Sequence, residues 1–288
     1  MLDRDTLDKI RRIRIRTRTI LDAGIVGAYQ AVFKGRGMEF AEVREYAPGD
    51  DVRSIDWNVT ARMGAPYVKQ YVEERDLTLM LVVDASGSQA FGSQYLLKRD
   101  YAAEISAVMA FSAVANHDRV GAILFTDRVE AYVAPGRGQD HALRIVRDVL
   151  ALEPKGRGTD LGGALRFCHQ VLKRRSIVAI VSDFQDSEWD RPLGVLRRRH
   201  DVIAIELRDP REREVPDVGL VALLDPETGA RVVVDTSDPA ARRQLASRAG
   251  DVAKGIFRRT RVDSLSLSIA EPYERPLQAF FQARERRR

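Results

Sequence analysis

Cysteine is almost missing from this chain: Cys168 is the only one in 288 residues. That excludes an internal disulfide and any zinc site built on cysteines. Histidine is scarce as well, with four residues (His117, His141, His169, His200) at no spacing that suits a metal. No apolar run approaches the roughly 18 residues of a membrane span, so no transmembrane helix is expected. The N-terminal stretch Met1 to Ile20 is basic but lacks the apolar segment of a signal peptide. The expected location is the cytoplasm.

Lysine is the rarer cation, seven of 47 basic residues, and the surplus over 42 acidic residues is a formal +5. Beside so many charges of both signs, that surplus describes a mixed surface and not a polycation made to coat nucleic acid. With 44% hydrophobic residues, a normal core can be buried. The length suits about two domains, or one large domain with appendages.

Residues 1–30 read as an amphipathic helix, with Leu7, Ile10, Ile13, Ile20 and Leu21 near helical spacing. The plain reading is a helix docked on its own protein. Its arginines (Arg11, Arg12, Arg14, Arg16, Arg18) offer a weaker alternative, contact with acidic lipid or RNA, which the nearby aspartates dilute. Residues 31–76 change to a Gly-, Pro- and charge-rich stretch. Pro48-Gly49-Asp50 signals a turn, and Glu39–Tyr46 and Tyr67–Glu73 suit short strands of an irregular β-rich lobe.

From 77 to 209 strands and helices alternate. Apolar strands are expected at 77–84, 119–127, 175–183 and 201–209, with a short one at 129–133. Helices are expected at about 95–116, 139–151, 161–174 and 189–199. This is the pattern of an open, doubly wound sheet. Beyond 210, two strands flank the turn Asp225–Gly229. A helix then runs over SDPAARRQLASRAGDVAKGIFRRT, the alternating SLSLSIA follows, and a last helix starts near Glu274.

In such a sheet, ligands bind at the carboxyl ends of the strands. Three loops there carry oxygen donors. Asp84-Ala-Ser86-Gly-Ser88 follows the first long strand, Gly158-Thr159-Asp160 precedes the helix at 161, and Ser182-Asp183-Phe184-Gln185-Asp186 follows the third long strand. Hydroxyl and carboxylate oxygens suit a hard divalent cation, Mg²⁺ first and Mn²⁺ or Ca²⁺ as alternatives. Ser86, Ser88 and Thr159 are the direct ligands expected, with Asp84 and Asp183 holding waters and balancing charge. A site rich in neutral hydroxyls leaves the ion short of negative charge, so an outside Asp or Glu is expected to complete it.

The D-x-S-x-S, Thr and Asp set resembles the metal-ion-dependent adhesion site of von Willebrand factor A-like domains. The segments GRGMEFAEVREYAPGDDVRSIDW and PDVGLVALLDPETGARVVVDTSD are similar to signatures of the DUF58 family. The resemblance spans about residues 5–285. Gln89 stands where that family often has methionine, at a position not expected to be a ligand. Many members carry N-terminal membrane helices, and this sequence resembles the short soluble ones. The resemblance implies a MoxR-type AAA+ ATPase as partner and an adaptor or co-chaperone role.

Each segment also has a plainer reading. Serine and aspartate after a strand are common caps and turns, and Asp160 and Asp186 fit that description best. Gly156-Arg-Gly158-Thr159-Asp160-Leu161-Gly162 mimics a nucleotide loop at the wrong spacing, and no G-x-x-x-x-G-K-S/T occurs. Its glycines are expected to let the threonine loop approach the metal. Ser86 as a hydrolase nucleophile lacks a histidine at a strand end. Cys168 reads as a buried small thiol. Asp50, Asp51, Arg53, Asp56 and Trp57 read as salt-bridging and packing residues that hold the β lobe onto the sheet domain, with a partner-binding surface as the alternative. Arg197, Arg198 and Arg199 suit a helix C-terminus, and the terminal arginines a frayed end.

The expected fold is therefore a von Willebrand factor A-like, doubly wound and mostly parallel α/β domain over 77–209. The flanks 1–76 and 210–288 are expected to pack together as an accessory β-rich region. The expected function is non-enzymatic, Mg²⁺-dependent protein binding, without nucleic acid or membrane. A metal-dependent phosphoryl-transfer enzyme using the same oxygens is the alternative.

Overall fold

A computed structural model describes residues 4–33, 38–73, 77–90, 92, 97–214, 216–225, 227, 229–247 and 251–287. The chain begins with α1 (Arg4–Ile20), α2 (Val26–Phe33), β1 (Met38–Glu45), α3 (Trp57–Met63) and β2 (Tyr67–Glu73). The alternating region holds β3 (Thr78–Asp84), α4 (Lys98–Ala115), β4 (Arg119–Phe125), β5 (Val129–Gly136), α5 (Gln139–Ala151), α6 (Leu161–Val171), β6 (Ile177–Ser182), α7 (Asp190–Arg199) and β7 (Asp201–Arg208). Then come α8 (Pro210–Arg213), β8 (Leu220–Leu224), β9 (Arg231–Asp235), α9 (Pro239–Ser247), α10 (Asp251–Thr260), β10 (Asp263–Ser268) and α11 (Glu274–Glu285).

Six strands form one sheet in the order β10-β7-β6-β3-β4-β5. All neighbours are parallel except β4 and β5. The doubly wound, mostly parallel sheet expected from the alternation is present. Its order turns around β3: the chain first steps outward to β4, then returns to lay β6 on the other side. A crevice therefore opens at the carboxyl ends of β3 and β6, where ligands bind in this architecture.

The strands are apolar because both faces are covered. On one face Met80, Val82, Ile123, Phe125, Val178 and Ile180 join side chains of α6, α7 and α10 in a buried cluster that includes Cys168 and Trp189. By strand alternation Leu79, Leu81 and Val83 turn to the other face, towards α4 and α5. α4 is buried nearly all round, which explains its Ala-rich composition: α1 packs on it from outside. Lys9 reaches Asp100 at 3.1 Å and Arg16 reaches Glu104 at 2.9 Å. The N-terminal helix is thus docked on its own protein, with Ile13, Thr17 and Ile20 as its buried stripe.

Two flank readings change. SLSLS was placed in the C-terminal flank, but β10 adds to the main sheet beside β7. Its alternating pattern marks an edge strand that is only half covered. Residues 1–32 belong with 78–288 in one compact unit, and 33–77 form another. Of the helix expected over 237–260, Pro239–Ser247 (α9) and Asp251–Thr260 (α10) are helical, and 248–250 lie outside the described residues. So do Tyr95, the expected start of α4, and the terminal Arg288.

In the 33–77 unit, β1 and β2 pair antiparallel. Gly49 sits at φ +111°, the left-handed turn conformation that glycine adopts without strain. Asp50 accepts from Ala47 N at 2.9 Å and pairs with Arg44 at 2.7 Å. Asp51 caps the short turn at 52–54, and Asp56 caps α3, accepting from Asn58 N at 3.0 Å. These signature aspartates act as local turn and cap residues.

Candidate functional site

Asp84 ends β3, and its side chain is locked at the crevice. One carboxylate oxygen accepts Ser86 N at 2.9 Å and the other accepts the Ser182 hydroxyl from β6 at 2.7 Å. Burial and the nearby charge of Asp183 push the Asp84 carboxyl up to about 7. The Ser86 and Ser88 hydroxyls lie 3.1 Å apart. D-x-S-x-S thus folds into a tight turn that sets its two hydroxyls side by side.

The loop after β6 is shaped by a backbone outlier. Phe184 adopts φ +55°, uncommon for a bulky residue. Its N–H donates to Ser182 Oγ at 3.0 Å, and its ring sits against Trp189 and Phe257, with centroids 5.3 and 5.0 Å away. This turn holds Asp183 beside the crevice. There Lys98, the first residue of α4, donates to Asp183 Oδ2 at 3.0 Å and also to Glu212. Burial opposes the charge on Lys98, but the two carboxylates outweigh it and the ammonium pKa is raised.

The threonine loop is anchored on β4. Asp160 N donates to Thr126 O at 2.8 Å, and Gly87 N donates to Arg157 O at 3.2 Å, joining it to the D-x-S-x-S turn. Glu130 accepts Lys155 N and Gly156 N at 3.0 and 2.7 Å. A Cβ on Gly156 would come within 2.2 Å of Thr126 Oγ1 and Asp127 Oδ1, so the close approach this glycine permits is to the end of β4. The Thr159 hydroxyl donates to Glu227 Oε1 at 2.6 Å, from the turn between β8 and β9. Burial raises the Glu227 pKa, the Thr159 bond lowers it, and the charges of Asp183, Asp225 and Asp186 raise it further.

Asp84, Ser86 and Ser88 share one turn, the charge of Asp183 raises the Asp84 pKa, and Thr159 is bonded to Glu227, whose own pKa the charge of Asp183 also raises. Asp160 and Asp186 take the plainer roles. Asp160 caps α6 through Gly163 N at 2.6 Å, and Asp186 accepts the first N–H of the same helix at 2.8 Å. Lys98, Glu212 and Glu227 were not foreseen. A lysine wholly buried among carboxylates has no local sequence signature.

Every donor is oxygen, the set a hard cation takes. Among the described residues no three His, Cys, Asp or Glu side chains are placed to hold a metal, so any cation here would depend on the hydroxyls. No described helix is long and apolar enough to cross a membrane.

Residues 42–254 match the family described as "Protein of unknown function DUF58". The chain is 37% identical over 255 residues to "Uncharacterized protein Rv1480" of Mycobacterium tuberculosis, covering 86% of this chain and 80% of that protein. "Uncharacterized protein Mb1516" of Mycobacterium bovis matches to the same extent. Among solved structures it is similar to BatB from Bacteroides thetaiotaomicron, at 10% identity and TM-score 0.49, over 73% of this chain and 99% of that one. It is also similar to the SpRpn10 VWA domain, at 12% identity and TM-score 0.42, over 72% and 95%.

Proposed function

The chain belongs to the DUF58 family, and from that premise we propose that it is a non-enzymatic, Mg²⁺-dependent protein-binding module. Ser86, Ser88 and Thr159 hold the ion, and Asp84 and Asp183 orient its waters and balance its charge. The bound ion supplies an acceptor for a partner's Asp or Glu. The observation that carries this reading is the meeting of the D-x-S-x-S turn and Asp183 at the β3–β6 crevice, with Ser182 tying Asp84 in place at 2.7 Å. The partner proposed is a MoxR-type AAA+ ATPase, with adaptor or co-chaperone work on client complexes.

Binding is favoured over phosphoryl transfer by the state of Asp84. Its two oxygens are taken by Ser86 N and Ser182 Oγ, and the residue is buried, so it is not poised as a nucleophile. The test is a Mg²⁺ titration of thermal stability for wild type and for S86A/S88A, with a pulldown from native lysate with and without EDTA. Mg²⁺ should stabilise the wild type alone, and EDTA should release an AAA+ ATPase. A flat, identical Mg²⁺ response in both proteins overturns the reading. Phosphate-ester turnover abolished by D84A would establish the enzyme instead.

A further inference from the structure

The proposed site calls for an acid, and this chain brings one of its own. Glu227 stands in the turn between β8 and β9, 68 residues from the Thr159 hydroxyl that donates to it at 2.6 Å. The turn is built to present it. Asp225 accepts Glu227 N at 2.9 Å through its side chain and Gly229 N at 2.8 Å through its carbonyl. Asp225 N donates to Ala230 O at 2.8 Å, and Gly229 sits at φ +72°.

The rest of the ribbon is poorly covered. Leu220, Leu224, Val232 and Val233 are exposed, so little apolar burial holds the ribbon down. At its base, Thr236 closes it by accepting Val218 N at 3.0 Å and donating to Gly219 O at 2.7 Å. At its tip, the Glu227 carboxylate lies over the threonine loop, 4.0 Å from where a Cβ on Gly158 would stand. The negative charges of Asp183, Asp225 and Asp186 raise its pKa. A carboxylate placed among like charges and beside a hydroxyl donor is the arrangement a divalent cation converts from repulsion to attraction.

We infer that Glu227 is an in-chain ligand of the proposed metal site, so that the β8–β9 ribbon occupies the place an outside acid would take. The inference rests on the metal reading above. A partner carboxylate must then displace the ribbon tip, and the exposed, weakly anchored strands make that displacement a small change. The site is regulated in cis: the ribbon competes with the partner for one ion.

The test uses Mn²⁺ with the full chain, because its binding is read by electron paramagnetic resonance and its bound water by proton relaxation. Wild type, E227Q and S86A/S88A are compared. E227Q keeps an acceptor for Thr159 and removes only the charge, and E227A serves as a second variant. The expected result is Mn²⁺ binding about ten-fold weaker in both Glu227 variants, with higher relaxivity per bound ion as water enters the released position. If S86A/S88A loses Mn²⁺ while E227Q and E227A match wild type in affinity and relaxivity, the inference falls and the metal reading stands. If wild type binds no Mn²⁺, or S86A/S88A binds it equally well, both fall.

Discussion

Lys98 Nζ lies 3.0 Å from Asp183 Oδ2, and the lysine side chain has no solvent-exposed surface. A second carboxylate, Glu212, shares the ammonium. One cation thus holds the start of α4 to the loop after β6 and to α8. Removing it leaves the buried Asp183 uncompensated, which typically costs about 3–5 kcal/mol. K98M should lower stability by about that amount in urea unfolding at neutral pH. Under the metal reading, millimolar Mg²⁺ should restore part of the loss. A K98M protein as stable as wild type without Mg²⁺ would contradict the structural role of the pair.

Asp160 and Thr159 are adjacent, yet different outcomes are expected for each. The Asp160 side chain caps α6, so D160A should cost about 1 kcal/mol of stability. It should leave the Mg²⁺-induced thermal shift intact. T159V should reduce that shift with little change in the metal-free melting temperature. If D160A abolishes the Mg²⁺ response, Asp160 is a ligand and not simply a cap.

Arg284 on α11 joins Asp201 at the start of β7 to Asp263 at the start of β10, the latter at 2.7 Å. The Arg284 side chain is 5% exposed, and its guanidinium spans the outermost parallel pair of the sheet. R284M keeps much of the volume but removes the charge that faces the buried Asp201, so a loss of about 3–5 kcal/mol is expected. Hydrogen exchange should show early opening of β10 relative to β3. Equal protection of β10 in wild type and R284M would argue against this clamp.

His200 is buried, and neither ring nitrogen has a partner among the described residues. Burial, then the charges of Arg199 and His169, lower its pKa to about 4, against an ordinary 6.5. The unfolded chain therefore takes up a proton that the folded chain refuses between those values. Stability from this group is complete above pH 6.5 and declines as pH falls towards 4. H200F should flatten that part of the stability–pH curve in denaturant titrations. An unchanged slope would show that another group sets it.

Much of the architecture could be read from the chain because buried parallel strands leave continuous apolar runs, as in Leu79 to Val83 and Ile177 to Val181. That Asp84, Ser86, Ser88 and Asp183 gather at one end of the sheet was legible because strand ends in such a sheet face the crevice. Lys98 was not: at the start of a helix a lysine ordinarily reads as solvated, and its partners are 85 and 114 residues away. Glu227 was hidden for the same reason, since a hairpin turn gives no sign of what it folds against. β10 was assigned to the flank because S-L-S-L alternation describes a half-covered strand and does not reveal which sheet it borders.

The sheet order carries a consequence for synthesis. β7 gains its outer neighbour only from residues 263–268, after the β8–β9 ribbon and two helices have been made. Until then the nascent chain presents a long apolar edge with unpaired backbone groups, the kind of surface that recruits other strands. The clamp by Arg284 comes later still. During translation the sheet thus stays exposed to misassociation until residues 263–268 have emerged, and a ribosome stalled between 209 and 263 would release a fragment whose sheet is open along β7.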